Sequence, residues 1–154
     1  MKLDGTSWRI LEIVQMDARA SFAEIGKQVG LTPPAVAERM RKMEGAGIIT
    51  GYHAHVSADA LGFSLMGLVQ LQNTRPDSAR VEELAETIPE VLSCDTTTGQ
   101  NNYLIRIIAR NRSHFSSILG RFLEYGSTIS SVVLDRPVVF KPITNETWQG
   151  AEKL

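Results

Sequence analysis

The sequence predicts an α+β protein, in which an N-terminal winged helix-turn-helix is followed by a C-terminal ferredoxin-like βαββαβ sandwich. Two observations support this fold class. Apolar residues in the first 47 positions recur at helical spacing in three segments, with a tight break at Gly30. The second half alternates strand-like and helical segments in the order βαββαβ, whose compact solution is an antiparallel sheet with both helices on one face.

The composition is that of a folded domain in a reducing compartment. The 154 residues are 43% hydrophobic, and 16 Lys and Arg nearly balance 17 Asp and Glu. The single cysteine, Cys94, excludes an intrachain disulfide and a multi-cysteine metal site. Because no apolar run reaches roughly 20 residues, we expect a cytoplasmic protein with no membrane partner. No sequence motif calls for a cofactor or a resident metal.

The first two helices are predicted from an apolar stripe and from their start signals. The stripe of the first helix consists of Ile10, Leu11, Ile13 and Val14. Asp4 or Thr6 is placed to cap its start. The second helix opens at Ser21 and Glu24, which have the spacing of a capping box, and Gly30 ends it.

The third helix completes a helix-turn-helix. It starts at Thr32 as N-cap, with Pro33 at the first helical position, where a missing N–H costs nothing. Since so little chain separates Gly30 from Thr32, the two helices meet steeply through a tight turn. Gly26 is small enough to let them approach. Residues 48–56 are then predicted to form a strand, which would make the unit winged.

One face of the third helix is the candidate DNA-binding surface. In a major groove, its solvent-facing residues would meet base edges and its flanks would meet phosphates. Thr32 offers a hydroxyl, Ala35 can touch a thymine methyl, and Glu38 can accept from a cytosine amine, while the cations suit phosphates or guanine. The alternative is a solvated helix surface with a Glu38–Arg39 pair. The candidate residues are Thr32, Pro34, Ala35, Glu38, Arg39, Arg41 and Lys42.

The second half is predicted to build one sheet with a bare face. Strands are expected over 63–71, 91–97, 103–109 and 129–134. Helices are marked by Val81, Leu84, Ala85 and Ile88, opened at Pro76-Asp77-Ser78, and by Phe115, Ile118, Leu119 and Phe122. We expect Leu65, Val69 and Ile105 to line the face that the helices leave bare. A second copy would have to cover such an apolar patch, so a homodimer is predicted.

Motifs from both halves resemble one protein family. They include Leu3-Asp4, Asp17-Ala18-Arg19-Ala20-Ser21, Gly30-Leu31-Thr32-Pro33, Gly47-Ile48-Ile49-Thr50-Gly51-Tyr52, Ile88-Pro89-Glu90-Val91 and Gly99. In this order, over roughly 3–140, they resemble the leucine-responsive regulator/asparagine-operon regulator (Lrp/AsnC) family of bacterial and archaeal transcription factors. The run 32–39 is most similar to a Bacillus-type, LrpC-like branch.

The resemblance implies a domain plan and an assembly. The chain would comprise a winged helix-turn-helix over 1–50, a linker or wing strand over 51–62, an effector-binding and oligomerisation domain over 63–140, and a polar tail over 141–154. It also implies homodimers joined through the second domain that assemble into tetramers or octamers, and binding to double-stranded operator DNA. In many family members an amino acid is held between dimers.

The candidate effector turn departs from the family pattern. Family members that bind amino acids commonly carry Gly-x-aromatic-Asp here, whose acid pairs with the ligand ammonium. This chain has Thr98, Gly99, Gln100, Asn101 and Asn102. An amide keeps a hydrogen bond but loses its charge-assisted part, so an amino acid should bind weakly unless Asp95 or Asp135 substitutes. The alternative is a plain polar turn, because Gly and Asn tolerate the required dihedrals.

Three classes of function follow. The leading one is a sequence-specific transcription regulator, modulated by an amino acid or another small metabolite. The alternative is an architectural protein that wraps or bends DNA with loose sequence preference and no ligand. The third is an enzyme, since a related two-domain fold serves tetrapyrrole decarboxylation, and we do not expect this chain to be one. His53 and His55 share a strand face, but no third metal ligand lies near them in sequence.

Overall fold

The computed structural model describes residues 2–73, 79–100 and 102–151. Within these ranges the chain forms two compact units. The first unit combines the N-terminal residues up to His55 with the C-terminal segment from Val138, and the second runs from Val56 to Pro137. No helix in the described part of the chain is long and apolar enough to cross a bilayer.

The first unit is built on the predicted helix-turn-helix. Its helices are α1 (Gly5–Met16), α2 (Phe22–Val29) and α3 (Pro33–Gly45). Their facing sides bury Ile10, Ile25, Val36 and Met43 completely. The starts of α1 and α2 match the sequence signals because each is fixed by a local cap: Asp4 accepts from the Ser7 N–H at 2.7 Å, and Ser21 and Glu24 form the capping box.

Two glycines set the turn of this motif. Gly30 ends α2 at φ 70°, in the left-handed region that glycine adopts without strain. A Cβ on Gly26 would lie 2.5 Å from the Leu31 carbonyl oxygen. The expected close approach at Gly26 is therefore confirmed, and the turn has no room for a side chain there.

The predicted wing strand is not formed in the described residues. Helix α3 ends with the Ile48 N–H donating to the Met43 carbonyl and the Gly47 N–H to the Glu44 carbonyl, both at 2.9 Å, which satisfies the last carbonyls. The chain beyond it, residues 49–57, forms no helix and pairs with no strand of the described residues. A strand requires a hydrogen-bonded partner, and no described segment supplies one.

The C-terminal segment, which the sequence predicts as a polar tail, contains a helix. Its helix, α6 (Asn145–Ala151), belongs to the first unit. The Gln15 side-chain amide both donates to the Ile143 carbonyl and accepts from its N–H, each at 2.9 Å. The Trp8 and Trp148 rings lie 6.1 Å apart, centroid to centroid. These contacts order the segment because α1 offers it a polar anchor and an aromatic surface.

The second unit is an antiparallel four-stranded sheet with two helices on one face, in its described residues. The strand order is β2-β3-β1-β4. Its elements are β1 (Leu65–Asn73), α4 (Ala79–Thr87), β2 (Val91–Thr96), β3 (Tyr103–Ala109), α5 (Arg112–Leu123) and β4 (Gly126–Val132). The final strand begins earlier than predicted because Gly126 already pairs with Asn73. The predicted helix start at Pro76-Asp77-Ser78 lies outside the described residues.

The expected lining of the bare sheet face is wrong. Val69 and Ile105 are fully buried against α4 and α5, and Leu65 packs against the same core. Alternate residues point to opposite faces of a strand, so the side chains one position along form the open face. The apolar members of that face are Met66, Leu68, Leu104, Ile108 and Ile129. The face is therefore mixed, since Gln70 and Arg106 lie among them.

Candidate nucleic-acid interface

Helix α3 exposes the start and one face of the predicted recognition surface. Thr32 and Pro34 are exposed and Ala35 is half-buried. The Thr32 side chain makes no capping hydrogen bond, so the helix start does not fix the orientation of its hydroxyl. With Pro33 and Pro34 at its first two positions, α3 lacks two of the N–H groups that a helix start normally offers to an anion. Recognition at this end therefore depends less on backbone N–H groups and more on side chains.

A cluster of charges continues the exposed face. Glu38 accepts a hydrogen bond from Arg41, and Lys42 Nζ lies 3.5 Å from Glu38 Oε1. The side chains of Arg41 and Lys42 are 73% and 63% exposed, so both can reach a phosphate. The single carboxylate does not neutralise the two cations, and the cluster keeps a positive charge facing solvent.

Arg39, which is also predicted to bind DNA, is held by residues of α1 and its cap in this structure. Its Nη1 lies 2.8 Å from both carboxylate oxygens of Asp4 and 2.8 Å from Ser7 Oγ. Only 32% of its side chain is exposed. The predicted Glu38–Arg39 surface pair is replaced by the Glu38–Arg41 pair, because Arg39 points toward α1.

Asp4 has two roles at this junction. It caps α1 through the Ser7 N–H and holds Arg39 through its carboxylate. The hydrogen bond from the Ser7 backbone, followed by that from Arg39, lowers the pKa of Asp4 from 3.8 to about 2. Folding therefore stabilises the charged form of the Asp4 side chain.

Tyr52 adds a contact that the sequence did not suggest. Its hydroxyl donates to Glu44 Oε1 at 2.7 Å, which holds the chain after α3 against the end of the helix. Partial burial, with the Glu44 carboxylate close by, raises the pKa of Tyr52 to about 12. No local pattern signals this contact, because it depends on where the unpaired segment after α3 runs.

The candidate effector turn is a polar turn at the surface. Thr98, Gly99 and Gln100 are exposed, and Gly99 has φ 102°, which requires glycine. The Thr97 N–H donates to the Asn102 carbonyl at 2.8 Å and closes the turn. Asn101 lies outside the described residues. The two acids considered as substitutes, Asp95 and Asp135, are exposed.

A separate groove of about 500 Å³ runs beside β2. It is lined by Glu82, Ala85, Glu86, Val91, Leu92, Ser93, Cys94 and Thr96 and includes no residue of the turn. Burial, followed by the charges of Asp95 and Glu82, raises the pKa of the Cys94 thiol. Among the described residues, no group of three or more His, Cys, Asp or Glu side chains is placed to hold a metal ion.

Comparison with known proteins decides the family. A profile of the AsnC-type helix-turn-helix domain matches residues 3–44, and a profile of the Lrp/AsnC ligand binding domain matches residues 66–143. The chain belongs to the Lrp/AsnC family of transcription regulators. The first matched range lies in the first structural unit, and the second matched range covers most of the second unit and extends six residues beyond it. The α+β fold of the family is confirmed.

The relatives named in this family are transcription regulators. The chain is 37% identical to the HTH-type transcriptional regulator Rv2324 of Mycobacterium tuberculosis, over 78% of this chain and 82% of that protein. It is 29% identical to the HTH-type transcriptional regulator LrpC of Bacillus subtilis, over 86% of this chain and 92% of LrpC.

Solved structures of family members have the same fold. The structure of B. subtilis LrpC covers 91% of this chain and all of LrpC with a TM-score of 0.86 and 28% identity. Transcriptional regulator NMB0573 of Neisseria meningitidis, solved as a complex with L-Met, gives a TM-score of 0.86 at 26% identity, over 94% of this chain and 99% of that chain.

Proposed function

We propose that this Lrp/AsnC regulator binds a specific operator in double-stranded DNA by inserting the exposed face of α3 into the major groove. The observation that carries this proposal is the surface made by Thr32, Pro34, Ala35, Glu38, Arg41 and Lys42, on which Arg41 and Lys42 are 73% and 63% exposed and keep positive charge outward. Its small side chains at the helix start suit close contact with base edges.

Two copies are needed for such a surface to bind tightly. Two cations on one helix neutralise too few phosphates for strong binding, and a dimer doubles the phosphate contacts. We propose that the open face of the sheet forms the homodimer interface. On this face Leu68 is half-buried at the centre and Ile129 is exposed on the edge strand. Apolar side chains on a sheet face are stable when a second copy covers them. Tetramers or octamers would add further half-sites.

We propose that the turn from Thr98 to Asn102 contacts a small-molecule effector, with the amide of Asn102 in the place of the usual acid. The L-Met complex of NMB0573 supports an amino acid as the class of ligand. Without a carboxylate in the turn, the ammonium group of an amino acid would gain only a neutral hydrogen bond. We therefore expect a weak amino-acid response or a different metabolite.

Footprinting on the promoter of the chain's own gene tests the function. We expect the purified protein to protect one short palindromic site, and we expect Arg41→Ala together with Lys42→Ala to abolish that protection. Arg121→Ala, which removes an exposed cation from α5, is the matched control and should leave the footprint unchanged. Equal protection of unrelated DNA would contradict sequence-specific binding.

The architectural alternative is favoured by one observation, the absence of an acid at Asn102, because a protein without an effector has no need for that carboxylate. Such a protein would give long protection phased at roughly ten-base-pair intervals, as DNA follows the surface of a multimer. The same footprint therefore separates the two functions.

A further inference from the structure

Arg39 lies on the inner side of α3, although it belongs to the basic run of this helix. It comes three residues after Val36 and four before Met43, both of which are fully buried. Residues at these spacings share one helix face. Arg39 therefore lies at the edge of the packed side of α3 and is 32% exposed, whereas Arg41 and Lys42 are 73% and 63% exposed.

The guanidinium of Arg39 reaches the start of α1. Asp4 Oδ1 and Oδ2 each lie 2.8 Å from its Nη1, and the third neighbour is Ser7 Oγ at the same distance. Ser7 is only 2% exposed, so its hydroxyl is satisfied within this junction. A charged group held by a carboxylate and a buried hydroxyl loses much of its freedom to rotate toward a phosphate.

The same carboxylate also fixes α1. Because Asp4 accepts from the Ser7 N–H, the first turn of α1 and the middle of α3 share one anchoring group. Loss of the Asp4 carboxylate would remove a polar contact between the start of α1 and α3. Specific base contacts need side chains held within a fraction of an ångström, so the direction of α3 affects specific binding strongly.

We infer that Arg39 is a positioning residue that sets the direction of the recognition helix through Asp4 and Ser7, and that it does not neutralise a phosphate. This inference rests on the proposed DNA-binding function of α3. It assigns to the Asp4 carboxylate, 35 positions away in sequence, a share in operator recognition.

Salt dependence separates a positioning residue from a phosphate contact. Each phosphate contact that is lost reduces the slope of log K against log salt concentration by about 0.9, whereas a misdirected helix loses base contacts at an unchanged slope. The matched variants are Arg39→Ala, Asp4→Asn and Arg41→Ala. Asn at position 4 keeps an N-capping oxygen but removes the negative charge that holds Arg39.

The experiment measures anisotropy of a labelled operator duplex at a series of salt concentrations. We expect Arg39→Ala and Asp4→Asn each to weaken operator binding about tenfold with the wild-type slope, and the double variant to be no weaker than either single one. Arg41→Ala should reduce the slope by about one unit for each copy bound. The inference is overturned if Arg39→Ala reduces the slope as Arg41→Ala does, or if Asp4→Asn binds as the wild type does.

Hydrogen exchange of the full chain without DNA gives a second readout. Asp4→Asn and Arg39→Ala should speed amide exchange in α3, while Arg41→Ala should not. A wild-type chain that binds no DNA would contradict the proposed function, and unchanged exchange in α3 of both variants would contradict the positioning role alone. Circular dichroism confirms that each variant is folded at the temperature of measurement.

Discussion

Single side chains at the start of α1 and in α3 have more than one role. Asp4 caps a helix and binds Arg39, and Glu38 binds two cations at once. Residue type alone placed Arg39 and Arg41 on one surface, because both are arginines of one basic run. In the structure they have different partners and lie on different sides of α3. The distinction comes from their position relative to the buried Val36 and Met43.

The lowered pKa of Asp4 predicts a loss of stability in acid. Its pKa is about 2 in the folded chain and 3.8 as the ordinary value, so the unfolded state takes up the proton first as the pH falls. The stabilisation is fully present above about pH 4 and is lost as the pH falls from about 4 to about 2.

We expect this acid-sensitive component to disappear in Asp4→Asn. Thermal unfolding followed between pH 6 and pH 2 measures it as a smaller drop in Tm than the wild type shows. Asp135→Asn, in the other unit, should follow the wild-type profile. Identical profiles for wild type and Asp4→Asn would show that the Asp4–Arg39 contact contributes nothing to stability in this pH range.

The turn at Asn102 leads to a prediction about ligands. Common L-amino acids at millimolar concentration should change the Tm of the wild-type chain little, because no carboxylate is placed in the turn to pair with their ammonium group. Asn102→Asp should introduce a saturable increase in Tm with at least one of them. Differential scanning fluorimetry over the set of amino acids measures both effects. A saturable increase in the wild type that Asn102→Ala abolishes would contradict the expectation.

The helices and strands depend on a few positions where two elements approach closely. Gly26 lies against the Leu31 carbonyl, and the Phe115 ring of α5 lies over Gly67 of β1. At both positions an added Cβ would come within 2.5 Å of another atom. The helix-turn-helix and the sheet–helix interface therefore each favour glycine at this position, because any side chain there would overlap a neighbouring atom.

Gly26→Ala should destabilise the first unit. A Cβ would overlap the Leu31 carbonyl oxygen and force α2 and α3 apart, at a cost of about 1–3 kcal/mol. The matched control is Gly45→Ala at the end of α3, where an added Cβ meets no atom within 4 Å. We expect the control to raise the free energy of unfolding by about 0.4–1 kcal/mol, because alanine loses less backbone freedom on folding than glycine. Urea denaturation followed by circular dichroism compares them, and equal effects would contradict the role of the tight turn.

The whole molecule combines residues that are distant in sequence. The segment from Val138 joins the first unit through Gln15 and Trp8, so both ends of the chain contribute to the unit that carries α3. The profile of the ligand binding domain ends at residue 143, and α6 lies beyond it. Helix α6 thus lies outside the profile-matched range and packs within the unit that carries α3.

The open face of the sheet predicts how copies associate. Leu68→Glu places a charge at the centre of that face without entering the core on the other side, so it should weaken the dimer by about 2 kcal/mol, or roughly thirtyfold. Sedimentation equilibrium measures the dissociation constant. Ser116→Glu on the exposed side of α5 is the control and should leave association unchanged. A dimer of wild-type strength in Leu68→Glu would place the interface elsewhere.

Local signals in the sequence established the helix-turn-helix and most of the sheet. The capping box of Ser21 and Glu24, the stop at Gly30 and the start at Thr32-Pro33 act over three or four residues, and all appear at the predicted positions. Strand β3 has its predicted bounds, Tyr103–Ala109. Such features are predictable because neighbours in sequence satisfy the backbone groups involved.

Contacts between distant residues required the folded chain. Arg39 and Asp4 are 35 positions apart, and Gln15 and Ile143 are 128 apart, so no periodicity connects them. The assignment of Val69 and Ile105 to the wrong sheet face has the same origin. Alternation along a strand divides its residues into two sets, but which set is buried depends on the side against which α4 and α5 pack. Sequence thus established most of the elements and several of their limits, while packing selected the buried sheet face and brought Arg39 to Asp4, because long-range contacts form only when separate elements meet.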